Sequence, residues 1–230
     1  MKTTISRIFV LGLAMFGTLY TNTASAQFEM DHLSFGAGLG YTAHAQDIGG
    51  SLSFNIRGNY ELDEASSIAL SFNSQLPCTK NYAFTAQAFS SATDPYAVPA
   101  NVEQKISFYN ISADYHRYFV QDIEESFGIY GLAGLGMTFA KRTLTSSGYD
   151  PTLYSLGSNQ FDASESFSGF MINLGLGTNV NINDMMAVFG EAKIGIPAGN
   201  KYNSQGNSEI TNPIPFNYSL QVGMRFNVFD

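Results

Sequence analysis

Residues 51–62 read Ser-Leu-Ser-Phe-Asn-Ile-Arg-Gly-Asn-Tyr-Glu-Leu. Leu52, Phe54, Ile56, Tyr60 and Leu62 fall on one side of this run, and Ser53, Asn55, Arg57, Asn59 and Glu61 on the other. A repeat of two belongs to a β-strand, whose successive side chains point to opposite faces. The two faces differ sharply in polarity. A soluble β-sandwich buries its apolar face against a second sheet. Large apolar side chains on one face of every strand, with asparagine, serine and glycine on the other, instead suit a membrane barrel, with lipid outside and a polar lumen inside.

The same alternation recurs along the chain. Residues 33–41 set Leu33, Phe35, Ala37, Leu39 and Tyr41 against Ser34, Gly36, Gly38 and Gly40. Further segments are predicted at about 66–77, 105–119, 127–141, 166–182, 186–196 and 215–229. In the segment at 127–141, Ile129, Ala133, Leu135, Met137 and Phe139 are read as outward, with Tyr130 and Leu132 inward among glycines. Eight segments of about ten or more residues can each cross a bilayer when tilted. The fold class read from the residues is all-β, an eight-stranded antiparallel up-and-down transmembrane barrel.

Connection lengths agree with this reading. Residues 62–66, 120–126 and 182–184 are short links, whereas 77–104, 142–165 and 197–214 are long and rich in Gly, Ser, Asn and Pro. Outer-membrane barrels have short periplasmic turns and long external loops, so the long segments are expected outside. The link near 44–50 is an external one that is short.

Composition narrows the class. The chain has 22 Gly, 19 Phe, 13 Tyr and no Trp in 230 residues, with only 13% charged. Mean hydropathy is near zero at −0.04, because lipid-facing and lumen-facing residues cancel in the average. Lys2, Arg7, the apolar run 8–19 and Ala24-Ser25-Ala26 have the layout of a secretory signal peptide. Residues 1–26 are therefore assigned as a signal peptide and 27–230 as the barrel. The run is too short, and too interrupted by Gly12 and Gly17, for a spanning helix. With 11 basic and 19 acidic residues, and Lys2 and Arg7 lost with the leader, the mature chain is strongly acidic. That argues against a nucleic-acid partner. The single cysteine, Cys78, cannot form an internal disulfide.

The stretch Gln221-Val222-Gly223-Met224-Arg225-Phe226-Asn227-Val228 resembles the C-terminal assembly signal of outer-membrane proteins, in which a polar residue, a glycine and two apolar residues, here Gln221, Gly223, Phe226 and Val228, are read by the barrel-assembly machinery. It departs from that pattern by continuing through Phe229 to Asp230 rather than stopping at a terminal aromatic. With the leader and the glycine-rich strands, the mature chain resembles the small outer-membrane β-barrel family of OmpA/OmpX-like, porin-family type. The resemblance implies integral insertion in the Gram-negative outer membrane as part of the cell envelope. It implies outer-membrane lipid and lipopolysaccharide as surroundings, a monomer, and no cofactor. The periplasmic peptidoglycan-binding domain of some relatives is not expected.

The inward faces collect Arg57, Lys193 and Arg225 with Glu61, Asp114 and Glu191, three charges of each sign, and His116 beside them. The interior of a small barrel is filled by side chains, and buried charges must pair. Neutrality is what packing demands, so a structural polar core is favoured over a gate or ion path. Counting residues up from the periplasmic turns puts Glu191 and Arg225 at matching heights on neighbouring strands, and they are expected to pair, with Asp114 as the alternative partner for Arg225 if they do not.

No catalytic or metal site is predicted. Ser112, Asp114 and His116 carry the groups of a hydrolytic triad, but Ser112 and His116 stand about 13 Å apart along a strand. His32-Leu33-Ser34 has the His-x-Ser form found in lipid A deacylases, but at the periplasmic end of its strand. His32 and His44 have no metal-ligand spacing, and the glycine runs 36–40 and 131–136 lack the helix a phosphate loop requires. Lys105, Lys141 and Arg142 fall near the outer rim, where lipopolysaccharide phosphates lie. The sequence therefore predicts a non-enzymatic barrel with a plugged polar interior and a structural or surface-interaction role through external loops whose ligand the sequence does not name. A narrow channel or carrier for small solutes or apolar compounds is the alternative, and an outer-membrane lipid-modifying enzyme a lesser one.

Overall fold

The computed structural model describes residues 33–45, 48–122, 127–157, 163–183, 185–198 and 214–228. The assigned signal peptide, His32 and most of the segment 197–214 lie outside the described residues. Nine strands follow in chain order: β1 (Leu33–His44), β2 (Gly49–Asp63), β3 (Ser66–Ala88), β4 (Ala97–Asp122), β5 (Phe127–Ser147), β6 (Tyr154–Ser155), β7 (Ala163–Asn183), β8 (Met186–Ala198) and β9 (Asn217–Asn227). Every pairing is antiparallel, and β1 pairs with both β2 and β9, so eight strands close into a ring. Closure leaves no edge within the ring, as a hydrocarbon surrounding requires. The two-residue β6 sits outside the ring and pairs only with the far end of β3.

Inward and outward faces follow the alternation. Leu39, Leu52, Leu70, Leu135, Phe170, Leu220 and Val222 are all exposed, while Asn55, Arg57, Asp114, Asn173, Glu191 and Gln221 are buried. In water such an exterior would be untenable, since patches of this extent are not left exposed on soluble monomers. Against lipid it is the favourable side. On β5, Ile129, Leu135 and Phe139 are exposed whereas Tyr130 and Leu132 are buried.

The long connections depart from expectation. Residues 77–104 are not an irregular loop, since β3 runs on to Ala88, β4 starts at Ala97, and the two pair from Cys78↔Ile106 to Gln87↔Ala97. A bulge between Gln75 and Cys78 marks the passage from barrel to extension. Residues 142–165 likewise continue β5 to Ser147 and begin β7 at Ala163. The alternation of apolar and polar residues fades in these stretches. The inner face of the extension is nonetheless packed, with Ala86, Ala88, Ala100 and Tyr154 in one cluster and Val102 and Leu144 in another.

At the end of the ring with the short turns, Asp63 closes the β2–β3 turn, accepting a 2.8 Å hydrogen bond from the Ala65 amide. Its carboxyl is held below the ordinary range, first by a side-chain hydrogen bond from Ser66 and also by the Ala65 amide and the Arg117 guanidinium.

Candidate functional site

Of the charged or titratable residues singled out in the sequence, Arg57, Glu191, Asp114 and Lys193 meet in two clusters with His116 beside them, but not in the expected pairs. Arg57 on β2 reaches across the lumen to Glu191 on β8, donating from Nη1 to Oε1 at 2.5 Å and from Nη2 to Oε2 at 2.8 Å. This fork-on-fork geometry is the strongest form of carboxylate pairing. Both side chains are buried. The guanidinium lies against the Phe189 ring, 3.7 Å from its centroid, and its Nε donates to Asn55 Oδ1 at 3.3 Å. Tyr130 on β5 completes the set by donating its hydroxyl to Glu191 Oε1 at 2.7 Å.

The second cluster surrounds Asp114 on β4. Lys193 Nζ lies 3.1 Å from Oδ2, Ser112 Oγ donates to the same oxygen at 3.0 Å, and Asn173 Nδ2 donates to Oδ1 at 2.9 Å. Ser71 extends the chain of bonds to Ser112 at 2.8 Å. His116 stacks its ring on Tyr130 with centroids 4.7 Å apart. Ser112 thus bonds Asp114 while His116 turns to an aromatic partner, which is no triad.

The expected pair of Glu191 with Arg225 does not form. Glu191 is opposite Gln221 on β9, and Arg225 is opposite Ala187 on β8. The four-residue offset along β9 amounts to about 13 Å. Counting heights from the turns ignores the stagger that closing a barrel imposes on its strands. Nor is Asp114 the partner of Arg225, whose Nη2 lies instead 3.8 Å from Oε1 of Glu61, a side chain that is 45% exposed. Glu61 and Arg225 therefore form a looser pair toward the short-turn end of the ring. Of the assembly-signal residues, Gln221 is buried in the lumen, while Phe226 and Val228 face outward.

Two glycines explain why these bonds can span the wall. The register runs Tyr130↔Gly177↔Glu191 and Asp114↔Gly134↔Asn173 across three strands each. In both rows the middle residue is glycine, and the flanking side chains bond over it. A Cβ on Gly177 would come within 2.4 Å of the Tyr130 ring, and one on Gly134 within 2.2 Å of Asp114 Oδ1. The roles of Tyr130, Phe189 and Asn173 escaped the sequence reading. Their signal lies in the inward glycines between bonded partners, which becomes visible only once register is known.

Above the polar clusters the lumen turns apolar. Ile106, Phe108, Ala140, Met171 and Ile214 form a buried cluster, with Ile48 and Phe167 packed on it. Ile214 comes from the segment leading into β9 and is 1% exposed. At the boundary His44, buried, bonds Gln75 at 2.6 Å and stacks on Phe108 with centroids 4.0 Å apart. Ser34, of the His-x-Ser match, faces the lumen and accepts from Asn59 Nδ2 at 3.4 Å. Among the described residues no group of three or more His, Cys, Asp or Glu is arranged to hold a metal ion.

A ring of eight antiparallel strands, apolar without and polar within, defines an outer-membrane β-barrel. No family model matches the chain, and no curated protein matches it in sequence. Among solved structures it is similar to neisserial surface protein A, at 12% identity over 85% of this chain and 97% of that one, with a TM-score of 0.51. It is also similar to a major outer membrane protein of Thermus thermophilus, at 8% identity over 84% and 98% of the two chains, with a TM-score of 0.52. The shared feature is the fold, that of small integral outer-membrane β-barrels.

Proposed function

We propose that this chain is a closed structural or surface-interaction barrel, whose role is exercised by the part that stands beyond the outer leaflet rather than by passage through its lumen. One observation supports this reading: buried side chains bond across the lumen at one level and pack together at a second. The lower level is the Arg57–Glu191–Tyr130 cluster with its Asp114 neighbour, and the upper is the apolar cluster of Ile106, Phe108, Met171 and Ile214. Opening a path would leave charges without partners below, at a cost on the order of 3–5 kcal/mol for each broken pair, and would expose apolar surface above. The paired strands of the external extension give it a defined shape for contact with other molecules.

Planar-bilayer recordings test the reading. The purified barrel should show no stable, reproducible openings. Steady conductance, or flux of small apolar compounds into liposomes, would replace this reading with the channel or carrier. The chain is further proposed to lack enzymatic activity, so lipid A mass spectra should be the same with and without its expression. Insertion by the barrel-assembly machinery through the segment 221–228, as a monomer, belongs to the same proposal. Replacing Gly223 and Phe226 together should lower the amount of folded barrel in the membrane.

A further inference from the structure

The outer wall carries its positive charge unevenly. Among the described residues, Lys105 on β4 and Lys141 on β5 are the only basic side chains that face outward beyond the apolar belt. Each is exposed and alternates with inward neighbours: Gln104 and Ile106 for the first, Ala140 and Arg142 for the second. Arg142, which the sequence placed with them, turns to the inner face. There it pairs with Glu165 and lies over the Phe167 ring, 5.3 Å from its centroid. Lys80 also belongs to the inner face, with Nζ 5.4 Å from the Tyr82 ring centroid. Arg117 faces outward at the opposite, periplasmic end, 3.7 Å from Asp63.

The register brings the two lysines together. Lys105 stands opposite Thr143, and Lys141 opposite Ser107, so the lysines are diagonal neighbours, about 7–8 Å apart at the backbone. The flanking strands add Thr79 opposite Lys105 and Ser166 opposite Lys141. Directly beneath lies the exposed aromatic pair Tyr109 and Phe139, at which the outward apolar run of β4 and β5 ends, while Leu76 carries it one step higher on β3. Aromatic rings of this kind sit at headgroup level. Two ammonium groups and four hydroxyls therefore occupy the height of the lipid phosphates. Among the described residues, Glu103, one outward position above Lys105, is the nearest carboxylate on this face and lies on its far side from the belt.

We propose that Lys105 and Lys141, with Thr79, Ser107, Thr143 and Ser166, form a site for the phosphate groups of an outer-leaflet glycolipid of the lipid A type. Lysine binds phosphate as a point charge on a flexible stem, and hydroxyls supply neutral donors around it. On a protein as acidic as this one, the patch gives a single wall of the barrel an attraction to an otherwise repelling surface. The inference rests on the reading that the β3–β5 extension faces outward.

The test uses the whole mature barrel in phosphatidylcholine nanodiscs containing a small fraction of bisphosphorylated lipid A, with bound lipid counted by native mass spectrometry. Each lysine near an anionic surface contributes about fivefold in affinity, so the K105Q/K141Q double variant should retain lipid A roughly thirtyfold more weakly. Arg117→Gln should leave retention unchanged, and a heat-dependent gel shift in every variant shows that the barrels are folded. Lipid A stripped of phosphate should bind the native barrel as weakly as bisphosphorylated lipid A binds the double variant. Inorganic phosphate at millimolar concentration should not displace the lipid; displacement would reassign the site to free phosphate. Equal retention by native and double variant would overturn the proposal. Labelling Asn101→Cys on intact cells with an impermeant maleimide, with buried Cys78 as the blank, separates the two failures. Labelling together with unchanged retention removes the site alone, whereas absence of labelling removes the outward orientation on which it rests.

Discussion

Arg57 and Glu191, 134 residues apart in the chain, face each other across the lumen through two parallel hydrogen bonds, the first residue 7% exposed and the second 4%. Neither charge has water to fall back on. Removing either partner strands the other in a medium of low dielectric, which costs on the order of 3–5 kcal/mol.

Arg57→Met and Glu191→Gln should each destabilise the barrel by about that amount, and the double variant by less than the sum. A double-mutant cycle of unfolding in detergent or lipid measures the coupling. Arg225→Met should cost no more than about 1 kcal/mol, as expected for a pair with one exposed member. Additive effects at Arg57 and Glu191, or a large coupling between Arg225 and Glu191, would contradict the observed pairing.

Gly177→Ala should destabilise the barrel although alanine ordinarily suits a strand better than glycine. The backbone gain is about 0.5–1 kcal/mol, while forcing the Tyr130 ring off its seat costs about 1–3 kcal/mol and weakens its bond to Glu191. Paired with Tyr130→Leu, the same substitution should cost markedly less. The comparison is made from unfolding midpoints, and equal cost in both backgrounds would show that Tyr130 is not what the glycine accommodates.

The mature barrel should migrate faster on a detergent gel unheated than boiled, because the closed hydrogen-bonded ring resists detergent. On intact cells, protease should cut at the tip of the extension, around Ser90–Tyr96, which is exposed and carries no paired strand. Residues 97–104 should be spared although they belong to a segment expected outside, since they are paired on both β3 and β5 from Asn101 onward and on β3 before it. Cutting throughout 77–104 would restore the irregular loop.

Asp63 gives a small pH dependence at the β2–β3 turn. Its carboxyl is held below the ordinary value by Ser66, the Ala65 amide and Arg117. A depressed folded-state value means that the stabilisation is present above the unfolded-state pKa, near 4, and is lost as pH falls through the folded-state value. Asp63→Asn should therefore weaken the barrel slightly at neutral pH, by no more than a few tenths of a kcal/mol for so exposed a group. The difference from the native chain should vanish in acid. A difference that grows as pH falls would reverse the sign and exclude the turn as its source.

The sequence by itself determined which residues face lipid and which face the lumen. That choice repeats every two residues along each strand, and solvent quality on the two sides enforces it locally, as at Leu52–Ser53 or Ile129–Tyr130. It also set the strand count of the ring and the separation of short from long connections. The length of β3 and β4 was not legible, because beyond Gln75 and Phe108 the polarity contrast between faces that marks a strand disappears. Only the tertiary structure decided the pairing of interior charges. The number of residues from a turn does not give height in a barrel whose strands are sheared past one another, so Glu191 meets Arg57 from across the lumen while Arg225 falls to Glu61. The glycines 134 and 177, featureless in the sequence, acquire their role for the same reason: they lie between bonded partners contributed by strands on either side, and stagger alone selects which residues those are.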